Sequence, residues 1–133
     1  MRYLLDTNIC VFLIRRKSAA VLARFEQYGI DELAISTVTL AELRYGADKS
    51  QRPEKNHAAL DAFLVPLGVV DFDSHAAARY GRLRADLERV GTPIGPLDTM
   101  IAACALAHGV PLVTSNTAEF SRVPDLHVED WTR

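Results

Sequence analysis

At 133 residues, 49% of them hydrophobic, the chain has the length and apolar content of one domain with one sizeable core. A formal charge of −2 excludes an overall positive field, so any nucleic-acid binding must rest on local basic patches. No run approaches the ~20 apolar residues of a membrane span, and Asp6 falls where a signal peptide would continue its apolar stretch, so the expected compartment is the cytoplasm, with no membrane partner.

Tyr3–Leu5 is an apolar run short enough for a buried strand, and a helix is expected over Ile9–Ile14. A second helix, Ala19–Tyr28, ends at Gly29; Leu33–Ile35 reads as the next strand and Val38–Ala47 as the helix after it. Residues 48–53 are polar and read as a surface loop before a helix over Glu54–Leu64. Val69–Phe72 is the third strand, and His75–Val90 a long helix with Ser74 as its expected N-cap and Gly91 as its stop. Pro96 suits the first turn of a helix over Leu97–His108, because its missing N–H costs nothing there, and Gly109 stops it. Leu112–Val113 and, more weakly, Leu126–Val128 complete the strands. Cys10 and Cys104 lie in apolar runs with no second Cys or His at ligand spacing, so both read as buried thiols. Strands alternating with helices predict the α/β class: one α/β/α sandwich around a parallel sheet, spanning residues 1–133.

Three acids stand out on this scaffold. Asp6 follows the first strand directly, at the carboxyl edge where open α/β sheets bind ligands; the lesser alternative is an N-cap for the Ile9 helix. Glu42 lies inside a helix with Thr39, Val38, Tyr45 and Gly46 three and four positions away, a poor setting for a solvated charge. It needs a metal or a partner such as Arg44, since burying a lone carboxylate costs several kcal/mol. Asp98 sits in the first turn of a helix that is apolar nearly all round, where the dipole favours an acid even without a ligand. Together the three converge on one sheet edge, and an oxygen-only donor set suits Mg²⁺, or Mn²⁺, better than Zn²⁺. Without such a cation, mutual repulsion among the three would raise at least one pKa. For phosphate contacts the chain offers Arg15, Arg16 and Lys17 after the first helix, and Arg44 beside the acid.

The motifs Leu4-Leu5-Asp6-Thr7-Asn8, Ile35-Ser36-Thr37-Val38-Thr39-Leu40-Ala41-Glu42-Leu43-Arg44-Tyr45-Gly46-Ala47, Gly95-Pro96-Leu97-Asp98-Thr99-Met100-Ile101-Ala102 and Leu112-Val113-Thr114-Ser115-Asn116 resemble, in this order, those of PIN-domain nucleases, specifically the VapC toxins of type II toxin–antitoxin modules. The likeness runs to the end of the chain, through Glu119–Leu126 and Glu129-Asp130-Trp131. It implies a Mg²⁺-dependent endoribonuclease acting on a structured RNA such as a tRNA, with initiator tRNA the nearest match. It also implies a homodimer and inhibition by a cognate VapB antitoxin in a hetero-oligomer. By position, Asp6 and Asp98 match the family's metal-binding aspartates and Glu42 its third acid. After the late strand many PIN domains carry an aspartate and this branch often two asparagines, whereas here Ser115 departs from both. Water or metal orientation is therefore expected from Ser115 and Asn116, with Glu119 as a further acid.

A receiver domain would need paired acids after the first strand and a late lysine, but Thr7-Asn8 follow Asp6 and the last lysine is Lys55. A haloacid-dehalogenase-type phosphatase would need an aspartate where Asn8 stands, and no Gly-Lys-Ser/Thr of a P-loop occurs. The alternative from another class is a PIN fold kept only as an inactive, protein-binding module.

Overall fold

All residues, 1–133, are described by the structure, a computed structural model. In chain order its elements are β1 (Tyr3–Leu5), α1 (Thr7–Arg15), α2 (Ala19–Phe25), β2 (Leu33–Ser36), α3 (Thr37–Asp48), α4 (Pro53–Leu64), β3 (Gly68–Val70), α5 (Ser74–Arg89), α6 (Pro96–His108), β4 (Leu112–Val113), α7 (Thr117–Phe120) and β5 (Val128–Glu129).

The strands form one all-parallel sheet in the order β3-β2-β1-β4-β5. Because side chains alternate across a strand, the row Ala34, Leu4, Leu112 faces one layer, and Leu33, Leu5, Ile35 and Val113 face the other. On the first face lie α5 and α6, contributing Ala76, Leu83, Leu87, Ile101 and Ala105; on the second lie α1, α2 and α4, with Ile9, Val21 and Leu60, closed by Trp131. Both sheet faces are therefore dry, which is why the strands read as continuous apolar runs. Cys104 belongs to the first layer and Cys10 to the second, so the sheet itself separates the two free thiols.

Local chemistry fixes the helix ends. Pro96 stands at the start of α6, and Gly109 ends it in the left-handed region at φ 65°. The cap of α5 is Asp73, not Ser74: the Asp73 backbone is still extended and its Oδ1 accepts from Ala76 N at 2.9 Å, which makes Ser74 the first helical residue. The second helix stops at Phe25, short of Tyr28, because the N–H groups of Gln27 and Tyr28 turn to carbonyls three residues back. Phe72 leaves the third strand because its N–H donates to Thr37 Oγ1 at 3.1 Å rather than to the ladder. The short α7 has too few residues to show a period and lies outside the sequence expectation. No helix is long and apolar enough to cross a membrane.

From β1 the chain winds outward through β2 and β3, then crosses back to lay β4 and β5 on the other side. The order thus reverses between β1 and β4, and the crevice beyond their carboxyl ends is the switch point at which open α/β sheets present ligand sites. Asp6 and Thr114 stand there, one residue past the end of each strand.

Candidate active site: a bowl of carboxylates

Asp6 is only 3% exposed and has two tasks. Its Oδ1 accepts from Ile9 N at 2.9 Å, capping α1, while its Oδ2 accepts from the hydroxyl of fully buried Thr114. Capping and site membership are therefore one arrangement. The hydroxyl of Thr114 also accepts from Asn116 N at 2.9 Å, which leaves its own proton for Asp6.

Glu42 projects from α3 into the same crevice, where its Oε1 accepts from Thr7 Oγ1 at 2.6 Å. The ion pair with Arg44 does not form. Residues two apart on a helix point to nearly opposite sides, and Arg44 turns to α4, where it meets Asp61 Oδ1 at 2.7 Å and His57 Nδ1 at 3.1 Å.

Asp98, in the first turn of α6, contacts Glu119 of α7 and senses the charges of Asp6 and Glu42. Glu119 is held in turn by Asn116, whose Nδ2 donates to Glu119 Oε2 at 2.9 Å. The turn after β4 acts through Thr114 and Asn116; Ser115 takes no part in these bonds.

The electrostatics follow from this crowding. Burial lifts the Asp6 carboxyl to about 6, with Glu42 adding repulsion and the Thr114 and Ile9 donors opposing the rise. Burial, then the hydrogen bond and charge of Glu119, lift Asp98 to about 7, with Asp6 and Glu42 adding to it. The four acids offer oxygen donors, a set that suits a hard cation better than zinc. No three Asp, Glu, His or Cys side chains close into a ready-made ligand cluster.

Beside the acids runs a groove of about 680 Å³ between α3 and α6, lined by Thr7, Val38, Glu42, Tyr45, Lys49 and Leu97 among others. Lys49 Nζ lies 4.9 Å from the Tyr45 ring centroid. Glu42, Tyr45 and Lys49 are spaced by three and four residues, so one face of α3 and its last turn present them together. Lys49 fell inside the expected loop; the helix reaches Asp48, and Lys49 caps it. Arg15, Arg16 and Lys17 are not brought to the acids: they stand at the far end of α1 from Asp6, about 13 Å along the axis at ~1.5 Å per residue.

The PIN-domain family pattern matches residues 3–126. This chain belongs to the PIN-domain family. The PIN domain is 48% identical over 132 residues to the tRNA(fMet)-specific endonuclease VapC of Shigella flexneri, covering 99% of each chain, and 44% identical over 131 residues to that of Salmonella typhimurium, covering 98% of each. Among solved structures it is similar to DNA-bound VapBC from Salmonella typhimurium, with a TM-score of 0.94, 44% identity and 98% of each chain covered. It is also similar to VapBC2 from Rickettsia felis bound to a promoter DNA fragment, with a TM-score of 0.91, 41% identity, and 98% and 99% covered. PIN-domain nucleases as a class depend on divalent metal.

Proposed function

We propose that this PIN domain is a Mg²⁺-dependent endoribonuclease, the toxin of a VapBC-type module, restrained by a VapB antitoxin and acting in the cytoplasm as a homodimer. Mn²⁺ would serve in place of Mg²⁺, having the same preference for oxygen. The observation that carries this reading is the meeting of Asp6, Glu42, Asp98 and Glu119, from four separate chain segments, at the β1/β4 crevice. Relatives whose names specify tRNA(fMet) support initiator tRNA as the substrate.

Asp6 and Asp98 would hold the cation, with Glu119 completing the acidic wall. When bound, the cation supplies charge neutralisation at the scissile phosphate and acidifies water. The chain's own groups do the rest. The first turn of α1 and Thr114 lock Asp6, so its carboxylate needs no reorganisation on binding. Glu42 keeps Oε2 free, since Thr7 occupies Oε1, and this oxygen takes the proton from the attacking water. In-line attack leaves a 5′-phosphate and a 3′-hydroxyl. Lys49, at the groove rim, is placed for a substrate phosphate, whereas Arg44 is engaged by Asp61. Arg15, Arg16 and Lys17 are left for RNA remote from the scissile bond.

Induction of the chain in cells, followed by mapping of new RNA 5′ ends, tests the reading. A discrete set of ends in initiator tRNA, absent with Asp98→Asn, supports it. An unchanged RNA population favours an inactive binding module.

A further inference from the structure

Glu42 carries three rotatable bonds and stands at the rim of an open groove, so something must hold its carboxylate if it is to receive a proton at one place. Arg44 does not, since it is committed to α4. The side chain that reaches Glu42 is Thr7, whose Oγ1 lies 2.6 Å from Glu42 Oε1 and 3.2 Å from Thr39 Oγ1. A hydroxyl has one proton, and the shorter contact to a carboxylate claims it. Thr39 must then be the donor in the longer contact. Thr39 is fully buried and its Oγ1 makes no other hydrogen bond, so nothing else competes for its proton.

We infer that Thr7 is a positioning residue for Glu42, and that Thr39, Thr7 and Glu42 form a directed relay, hydroxyl to hydroxyl to carboxylate. Each bond polarises the next, and the relay ends on the one charged acceptor. It is anchored at its base: Thr39 N donates to Ser36 Oγ at 3.1 Å in the first turn of α3. It is also tied to the neighbouring acid, because Thr7 directly follows Asp6, the cap of α1. One helix start thus sets both Asp6 and, through its next residue, Glu42. The relay commits Oε1 and leaves Oε2 for the water. This inference rests on the proposed role of Glu42 in handling that water.

The test uses the full chain with Thr7→Val, Thr7→Ser, Thr39→Val and Glu42→Gln, measuring kcat and KM on tRNA and the rise in Tm produced by Mg²⁺. Thr7→Val keeps the shape and loses the donor. Its kcat is expected to fall about 10–100-fold, the usual cost of losing a group that orients a metal-site residue, with KM within about twofold. Thr7→Ser restores kcat to within about threefold, Thr39→Val falls between the two, and all three keep the Mg²⁺-dependent rise in Tm because Asp6 and Asp98 are untouched. A Thr7→Val enzyme with wild-type kcat, or equal losses in the Val and Ser variants, overturns the relay. If Thr7→Val does not fold, Thr39→Val decides, and wild-type kcat there overturns it. Wild-type cleavage by Glu42→Gln would refute the role of Glu42 itself; loss in Glu42→Gln with full activity in Thr7→Val would refute the relay alone.

Discussion

Asp6→Asn should make the metal-free protein more stable at neutral pH while ending its cleavage activity. In the folded chain this carboxyl is buried and its pKa rises from 3.8 to about 6. The folded state therefore binds its proton more tightly than the unfolded state does, so the stabilisation is complete below 3.8 and is lost as pH climbs to about 6. A shift of roughly 2 units at ~1.4 kcal/mol each opposes folding by about 3 kcal/mol above that range. Asparagine carries no charge and still caps a helix well. It has one side-chain oxygen, however, where Asp6 serves both Ile9 N and Thr114 Oγ1, and weakening one of those bonds returns about 1 kcal/mol. The net gain is about 2 kcal/mol at pH 8, a Tm increase of about 8 °C for a chain of this size. Thermal and urea unfolding in EDTA at pH 8 and pH 4 measures it: the gain should be present at pH 8 and absent at pH 4. An Asp6→Asn protein less stable than wild type at pH 8 would refute the claim that this carboxylate is held at a cost.

Wild-type stability in EDTA should fall as pH rises from 3.8 to about 7, because Asp6 and Asp98 both keep their protons longer when folded; saturating Mg²⁺ should flatten that decline, as followed by Tm across pH. Lys49→Ala should weaken RNA binding and reduce the slope of log K against log salt by about 1, as loss of one phosphate contact does. Arg44→Ala, which breaks an exposed pair with Asp61, should change stability by under about 1 kcal/mol and leave that slope nearly unchanged. Trp131→Ala should cost about 3–5 kcal/mol by urea unfolding. The indole is buried, stacked on Tyr28 at 5.6 Å and covered by the Arg24 guanidinium at 4.9 Å.

The position of Asp6 was readable because a strand-ending acid in an α/β pattern can only lie at the carboxyl edge. Its capping role looked like a competing explanation, yet one carboxylate has two oxygens and serves both. The Glu42–Arg44 pair could have been dismissed from spacing alone, since helical residues two apart do not face each other. Thr114 is not legible in the sequence for a different reason: its bond to Asp6 depends on β4 lying beside β1 in register, and two strands more than 100 residues apart give no local sign of that. Ser115 is conspicuous in the sequence because it departs from the resemblance, whereas the hydrogen bonds of that turn come from the residues on either side. Lys49 reads as loop because the polar run after Ala47 masks the last turn of α3, yet three residues on from Glu42 to Tyr45 and four more to Lys49 place it on the groove.

The central claim, that Asp6 and Asp98 hold a cation on which RNA cleavage depends, is tested most directly by titrating the purified chain with Mg²⁺ and following Tm and tRNA cleavage in the same samples. Both should rise together with one midpoint, and both responses should vanish in Asp6→Asn and Asp98→Asn. Cleavage of the same tRNA at the wild-type rate in EDTA, or by either variant, would contradict it.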